Sequence, residues 1–251
     1  MNQILDGITQ AFQLIFAGDP TIYGAVYRTL LFSGVATILA VLWSIPIAML
    51  LTLKDFPGKS VVKGFFTAMI GLPTVALGLI LFLTFSKAGP LGFFGLLYTP
   101  GAIMLGEAIL ITPLIVSIGV SAIEAVDPDM FNLAKTLGAN SSQASVTIMK
   151  EALSGILFSN IAGFNRAIAE LGVALMVGGN IVGAGVHSTD VLTTNISTLT
   201  ARGEFATAIA LTVILLLLVF GINLIVHLAR NPRILTLWGR MPQQKPWNCR
   251  K

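Results

Sequence analysis

The segment TLLFSGVATILAVLWSIPIAMLLTL, residues 29–53, contains no charged side chain. A helix needs about 20 mostly apolar residues to cross the hydrocarbon core of a bilayer, and this segment is long enough to do so. Residues 64–86 also lack charged side chains, and residues 205–229 contain His227 as their one titratable group. These three segments therefore predict membrane-spanning helices.

Two further apolar segments are interrupted by ionisable residues. Residues 101–122 contain Glu107, and residues 156–178 contain Arg166 and Glu170. Loops and sheet edges cannot satisfy their backbone hydrogen bonds in lipid, so helices are expected here as well. The predicted fold class is an all-α integral membrane protein with about five transmembrane helices, forming a single transmembrane domain over residues 1–251.

The composition supports this class, because 55% of the 251 residues are hydrophobic and only 10% are charged. Soluble domains carry about 25% charged residues, so a water-soluble surface is excluded. Cys249 is the only cysteine, which excludes an intramolecular disulfide. The first 27 residues contain no Lys or Arg, so no cleavable signal peptide is expected.

The N-terminal residues predict a helix that lies in the membrane interface. Six apolar residues recur there at helical spacing: Ile4, Leu5, Ile8, Phe12, Ile15 and Phe16. Polar residues fill the opposite side, which is typical of an amphipathic helix at a lipid surface. Gly18-Asp19-Pro20 is expected to end this helix.

The distribution of Lys and Arg predicts the orientation, because cytoplasmic loops carry an excess of these residues. With the N-terminus outside, eleven Lys and Arg residues fall on the cytoplasmic side. Three fall outside, namely Arg28, Lys87 and Arg202. We therefore expect an external N-terminus and a cytoplasmic C-terminus.

The longest cytoplasmic segment, about residues 123–155, predicts a helix, a tight turn and a second helix. Asp127-Pro128 is a typical helix start, and Gly138 suits the left-handed residue that follows a helix ending at Leu137. Asn140 can cap the next helix, with Gln143 as its capping-box partner. From these residues alone, a plain connector between two spans is an equally good interpretation.

The stretch AIEAVDPDMFNLAKTLGANSSQASVTIMKEALSGI, residues 122–156, resembles the EAA loop of ABC importer permeases. The family's Glu-Ala-Ala triplet falls on residues 132–134 and its glycine on Gly138. Asn132, Leu133 and Lys150-Glu151 depart from the family pattern. The resemblance implies that this loop docks on an ATPase subunit through a set of coupling residues: Asn132, Ala134, Leu137, Gly138, Ala139 and Ile148.

Other segments resemble the molybdate and tungstate branch of the oxyanion permeases. They are GLPTVALGLILFLTFSKAGPLG (71–92), NRAIAELG (165–172), MVGGNI (176–181) and VLTTNI (191–196). The resemblance implies a homodimer in the bacterial cytoplasmic membrane, with two cytoplasmic ATPase subunits and an external binding protein. It implies tungstate as the transported oxyanion, with molybdate next.

No Gly-rich phosphate loop ending in Gly-Lys-Ser/Thr is found, so ATP is expected to bind to a partner chain. We therefore expect a transport subunit rather than an enzyme, without a cofactor of its own and without a nucleic-acid partner. His187 and His227 have no partner at metal-ligand spacing, and no metal site is predicted. Membrane lipid is an expected contact.

Ionisable and polar side chains within the spans are candidates for the transport pathway. Arg166 and Glu170 lie four residues apart and share a helix face; a structural ion pair is favoured, while a functional role stays open. Glu107 is interpreted as structural. Neutral donors suit a dianion that must also be released, and the pathway candidates are Thr74, Thr112, Asn165, Asn180, Thr193 and Thr194, with Asn195 beside them.

Three other classes of membrane protein fit less well. A secondary transporter normally contains internal repeats, and none is found here. An intramembrane enzyme needs a nucleophile and base or a metal cluster within its spans. A structural anchor does not need Arg, Glu and several prolines there. Pro46, Pro73 and Pro113 are each expected to kink a span.

The orientation can be tested through Cys249, which lies in the predicted cytoplasmic tail. We expect a membrane-impermeant thiol reagent to label inverted vesicles and to leave intact cells unlabelled. Labelling from outside intact cells would contradict the orientation and the cytoplasmic position of residues 123–155.

Overall fold

The computed structural model describes residues 2–17, 20–127, 129–182 and 188–230, and all regular structure within these ranges is helical. Predictions that involve Gly18, Asp19, Pro128, His187 and Cys249 lie outside the described residues. The helices are α1 (Asn2–Ala17), α2 (Pro20–Leu53), α3 (Lys59–Met69), α4 (Thr74–Phe85), α5 (Pro100–Glu124), α6 (Asp129–Thr136), α7 (Ser141–Glu151), α8 (Leu153–Ile168), α9 (Gly172–Gly178), α10 (Leu192–Ala201) and α11 (Phe205–Arg230), with one 3-10 turn at Gly92–Phe94.

Three of these helices, α2, α5 and α11, are each long and apolar enough to cross a membrane. Two bent pairs reach the same length together: α3 with α4, at an angle of 101°, and α8 with α9, at 57°. Counting each pair as one span gives up to five spans, in agreement with the predicted number. The segment over residues 64–86, in which Pro73 was expected to cause a kink, is bent at this proline, whereas the break within residues 156–178 was not predicted from the sequence.

The two breaks have different local causes. Pro73 precedes α4, and a proline removes a backbone donor and disfavours helix at the residue before it. The break between α8 and α9 contains no proline; there the backbone N–H of Val173 is taken by the Glu170 carboxylate, at 3.1 Å. At Pro46 and Pro113, by contrast, α2 and α5 run on as continuous helices.

Helix α5 lies at the centre of the bundle. Among the 18 residues that form the most apolar stretch of each helix, 61% are buried in α5, 28% in α2 and 22% in α11. Its first half packs with α4 and α9 through residues such as Leu81, Ile103 and Val173. Its second half packs with α2, α7 and α8 through residues such as Leu51 and Val120. One helix therefore connects the two ends of the molecule.

The two bent pairs meet where each of them is broken. A Cβ atom at Gly172 would lie 2.6 Å from Thr74 Oγ1 and 2.9 Å from the Val75 nitrogen. A Cβ atom at Gly78 would lie 3.0 Å from the Gly172 carbonyl oxygen. The starts of α4 and α9 can be this close only because neither glycine has a side chain.

Helix α1 packs along α11, with Gly7 against Ile209; a Cβ at Gly7 would lie 2.6 Å from Ile209 Cγ2. Leu5, Phe12 and Phe16 are exposed. The predicted helix is therefore present, and its position in the membrane interface stays a prediction.

The contact between α4 and α9 can be tested with Gly172→Ala. The added methyl group would overlap backbone and side-chain atoms of α4, and overpacking of this kind costs about 1–3 kcal/mol. We expect a melting temperature lowered by about 2–4 °C for each kcal/mol in detergent-purified protein. Gly221→Ala in α11 is the matched control, because a Cβ there has no neighbour within 4 Å among the residues that the structure describes. Equal melting temperatures for the two variants would contradict the close contact.

Candidate functional site

The turn between α6 and α7 has the local geometry that its sequence predicts. Asp127 Oδ1 accepts from the Asp129 nitrogen at 2.9 Å, which caps α6. Gly138 adopts φ +91° two residues after Thr136, where α6 ends one residue earlier than predicted. Asn140 and Gln143 form the reciprocal capping box, with distances of 2.8 and 2.9 Å. Each feature depends on residues within a few positions of one another, which is why the sequence alone predicted it.

The predicted coupling residues fall into an exposed and an anchoring group. Leu137 is 81% exposed, and Leu133, one helical turn earlier, is 53% exposed. Asn132 and Gly138 are also exposed. Ile148 is only 5% exposed and packs into the core beside α2 and α5, so it anchors α7 and cannot contact another chain directly. Ala134 and Ala139 are half-buried.

The Arg166 and Glu170 side chains form the predicted ion pair at the break between α8 and α9. Arg166 Nη1 lies 3.0 Å from Glu170 Oε2, and the two side chains are 39% and 1% exposed. The other Glu170 oxygen accepts from the Val173 nitrogen. The ion pair thus joins the end of α8 to the start of α9, and its role in this conformation is structural.

Glu107 of α5 faces the same cluster. Its carboxyl group is buried near the charge of Glu170, and it hydrogen-bonds to the Ser33 side chain of α2. Glu107 Oε2 has no hydrogen-bond partner within the described part of the chain. Four helices therefore contribute to one polar cluster that contains two buried carboxyl groups and the partly exposed Arg166 guanidinium group.

Two pathway candidates form hydrogen bonds between helices. Thr112 Oγ1 accepts from Trp43 Nε1 at 2.6 Å and donates to the Ala108 carbonyl at 2.7 Å. The amides of Asn165 and Asn223 bond reciprocally, at 2.7 and 3.3 Å, and join α8 to α11. The Thr112 and Asn165 side chains therefore stabilise helix packing in this conformation.

Three other candidates lie together near α10. Thr194 Oγ1 donates to Asn180 Oδ1 at 2.7 Å, and Asn180 Nδ2 donates to Thr198 at 2.8 Å. Thr193 Oγ1 donates to the Glu170 carbonyl at 2.8 Å. The last candidate, Thr74, lies apart from these three, at the contact between α4 and α9. The candidates are therefore distributed over several helix contacts and do not surround one site.

A second buried ion pair, between Arg28 and Asp190, was not predicted from the sequence. Arg28 Nη2 lies 2.5 Å from Asp190 Oδ2, and Arg28 Nε donates to the Asp190 carbonyl at 2.9 Å. Asp190 is fully buried. Next to it, Thr29 Oγ1 accepts from the Leu192 nitrogen at 3.0 Å, so the start of α10 is bound to α2 twice. The signal available in the sequence was Asp190 itself, which is the one Asp, Glu, Lys or Arg residue between Glu170 and Arg202.

A cavity of about 640 Å³ lies beside this ion pair, between α2, α9, α10 and α11. Its polar lining is formed by Asn180, Asp190, Asn195, Thr198, Arg202 and Thr207. Over the described residues, no group of three or more His, Cys, Asp or Glu side chains is placed to hold a metal ion. The polar groups at this end are amides, hydroxyls, the Arg28–Asp190 ion pair and the Arg202 guanidinium group.

Comparison with known proteins agrees with this architecture. A family model described as the binding-protein-dependent transport system inner membrane component matches residues 40–233. The tungstate uptake system permease protein of Campylobacter jejuni is 36% identical over 90% of this chain and 93% of its own length. The corresponding protein of Peptoclostridium acidaminophilum is 33% identical over 90% of this chain and 98% of its own.

A probable anion ABC transporter permease protein of Haloferax volcanii is 40% identical over 76% of this chain and 83% of its own length. The family model covers more than half of the chain, and the two tungstate permeases match nearly all of it. This chain therefore belongs to the family of inner membrane components of binding-protein-dependent transport systems, the permease subunits of ABC importers.

Proposed function

We propose that this chain is the permease subunit of an importer for tungstate, with molybdate as the next best substrate. The observation that carries the proposal is the identity of 33–36% to two tungstate uptake permeases over 90% of the chain. ATP hydrolysis belongs to a partner chain, and this subunit supplies the passage through the membrane.

The charges of the spans are compatible with passage of a dianion. Arg166 is paired with Glu170, and Arg28 is paired with Asp190. A transported ion must bind strongly enough to enter and weakly enough to leave, and an unpaired arginine would hold a dianion too tightly. Hydroxyl and amide groups, such as those of Asn180 and Thr198, offer weaker hydrogen bonds. Selectivity among oxyanions then falls mainly to the external binding protein.

Membership of the family supports the following assembly as part of this proposal. Two copies of the chain form the passage in the cytoplasmic membrane, two ATPase subunits bind on the inside, and a binding protein delivers the anion from outside. Helix α6 presents Leu133 and Leu137 to the ATPase, as an apolar helix face that enters a groove. Ile148 and the core around it transmit the displacement to α5 and α2. This arrangement requires an external N-terminus and a cytoplasmic C-terminus.

The substrate can be tested by ATP-driven uptake in vesicles that contain the permease, its ATPase and its binding protein. We expect uptake of labelled tungstate that excess molybdate inhibits and that equal excesses of sulfate or phosphate leave nearly unchanged. An ionophore that collapses ion gradients should have no effect while ATP is present. Strong competition by sulfate or phosphate, or uptake of a cation instead, would refute the tungstate assignment.

The coupling turn can be tested with Gly138→Val. Valine tolerates the left-handed backbone poorly, at a cost of about 1–2 kcal/mol, so the turn is expected to change shape. Because the residue is exposed, the variant should still insert and fold, but it should lose ATPase association or most of its tungstate uptake.

Gly203→Val is the matched control for this variant. Gly203 has φ +79° and lies in the turn between α10 and α11. Within the described part of the chain, a Cβ atom at Gly203, like one at Gly138, would have no neighbour within 4 Å. The control should keep ATPase association. Normal uptake by the Gly138 variant would exclude this turn as the coupling element.

A further inference from the structure

A small polar cavity lies between α3 and the second half of α5, away from the polar groups described above. Its volume is about 160 Å³, which is room for about five water molecules or one tetrahedral oxyanion. The polar side chains that line it are Lys63, Thr67, Ser117, Ser121 and Glu124.

The strongest donor in this cavity is the Lys63 ammonium group. It is bound to the Glu124 carboxylate, and the two side chains are 25% and 47% exposed. An ion pair this exposed to solvent is weak, and its partners separate easily. Lys63 can therefore exchange Glu124 for another anion without leaving a buried charge uncompensated.

The Ser117 hydroxyl is the second available donor. Its oxygen is buried and has no hydrogen-bond partner among the described residues. The other two hydroxyls are already used, since Ser121 donates to the Ser117 carbonyl at 3.1 Å and Thr67 donates to the Lys63 carbonyl at 3.0 Å. A buried hydroxyl without a partner costs free energy, which a ligand with acceptor oxygens would recover.

Lys63 and Glu124 lie just outside the predicted spans, whereas Thr67, Ser117 and Ser121 lie within them. Polar side chains within membrane helices usually face the interior of the bundle or a water-filled cavity. Helix α3 has no fully buried residue and is held against α5 mainly by Val62 and Phe66. The polar side of this contact is therefore suited to water and small ions.

We propose that this cavity is a transient binding site for the transported oxyanion at the cytoplasmic end of its route, where Lys63 and Ser117 donate hydrogen bonds and Glu124 competes for Lys63. The inference rests on the proposed function for the identity of the anion. Competition from Glu124 keeps the site weak, as release into the cytoplasm requires.

Glu124 also connects this site to the coupling turn. It is the last residue of α5, and α6 begins at Asp129. A displacement of α6 by the ATPase therefore acts on the residue that competes for Lys63. Occupancy of the site would change with the position of the coupling helices.

The test is equilibrium binding of labelled tungstate to the permease with its ATPase subunits, in discs of zwitterionic lipid and without the binding protein. Lys63→Met keeps the side-chain stem and removes the charge, so we expect the dissociation constant to rise by about tenfold or more. Ser117→Ala should raise it by a smaller factor. Glu124→Gln removes the competitor and should lower it.

Lys59→Met is the matched control. Lys59 lies one turn earlier on α3, is bonded to Asp55 and to the Thr52 carbonyl, and does not line the cavity. Its removal should leave the dissociation constant unchanged. A purely structural salt bridge predicts a different pattern, in which Lys63→Met and Glu124→Gln have the same effect.

Unchanged binding in Lys63→Met, weaker binding in Glu124→Gln or no binding by the wild type would overturn the proposal. The measurement is repeated in discs of anionic lipid, where loss of binding would show a lipid phosphate as the occupant and overturn it as well. Uptake in sealed vesicles that contain the permease, its ATPase and its binding protein separates the two proposals. Tungstate uptake without Lys63-dependent binding would contradict the proposed site and leave the proposed substrate standing. Absence of tungstate uptake would contradict the proposed substrate.

Discussion

Backbone groups that leave a helix inside a membrane need a partner from the protein, and this constraint governs the centre of the structure. Two helices are broken there, and both breaks lie where α4 and α9 begin, in contact through Gly78 and Gly172. The Glu170 carboxylate satisfies the Val173 nitrogen and is held by Arg166. Membrane helices rarely contain ionisable residues such as Arg166 and Glu170. Here these two residues make the break between α8 and α9 possible.

The same centre explains how the two ends of the permease can be coupled. Helix α5 runs the full length of the bundle and is buried along most of it, so it can carry a displacement as a rigid element. Its second half shares a core with Ile148 of α7, and its first half shares a core with α4 and α9. The turn between α6 and α7 is therefore connected to the broken helices through packed side chains.

The features predicted correctly from the sequence depend on neighbouring residues. The capping box of Asn140, the left-handed Gly138 and the Arg166–Glu170 spacing each need only a few positions. The Arg28–Asp190 pair spans 162 positions, and the Asn165–Asn223 pair spans 58, so no local pattern indicates either one. The break after α8 contains no proline, so no local pattern indicated it either. The pathway candidates were chosen by residue type, and the structure shows most of them bonded within the protein.

The distance in sequence between Arg28 and Asp190 has a consequence for biosynthesis. The arginine emerges from the ribosome early, and its partner follows 162 residues later. At about 5–20 residues per second, translation takes about 8–32 seconds to cover that interval. During this time the arginine must stay hydrated at the membrane surface while the later helices insert. This end of the bundle therefore closes only after Asp190 has been synthesised, and until then the polypeptide exposes an unpaired arginine near the start of its first long membrane helix.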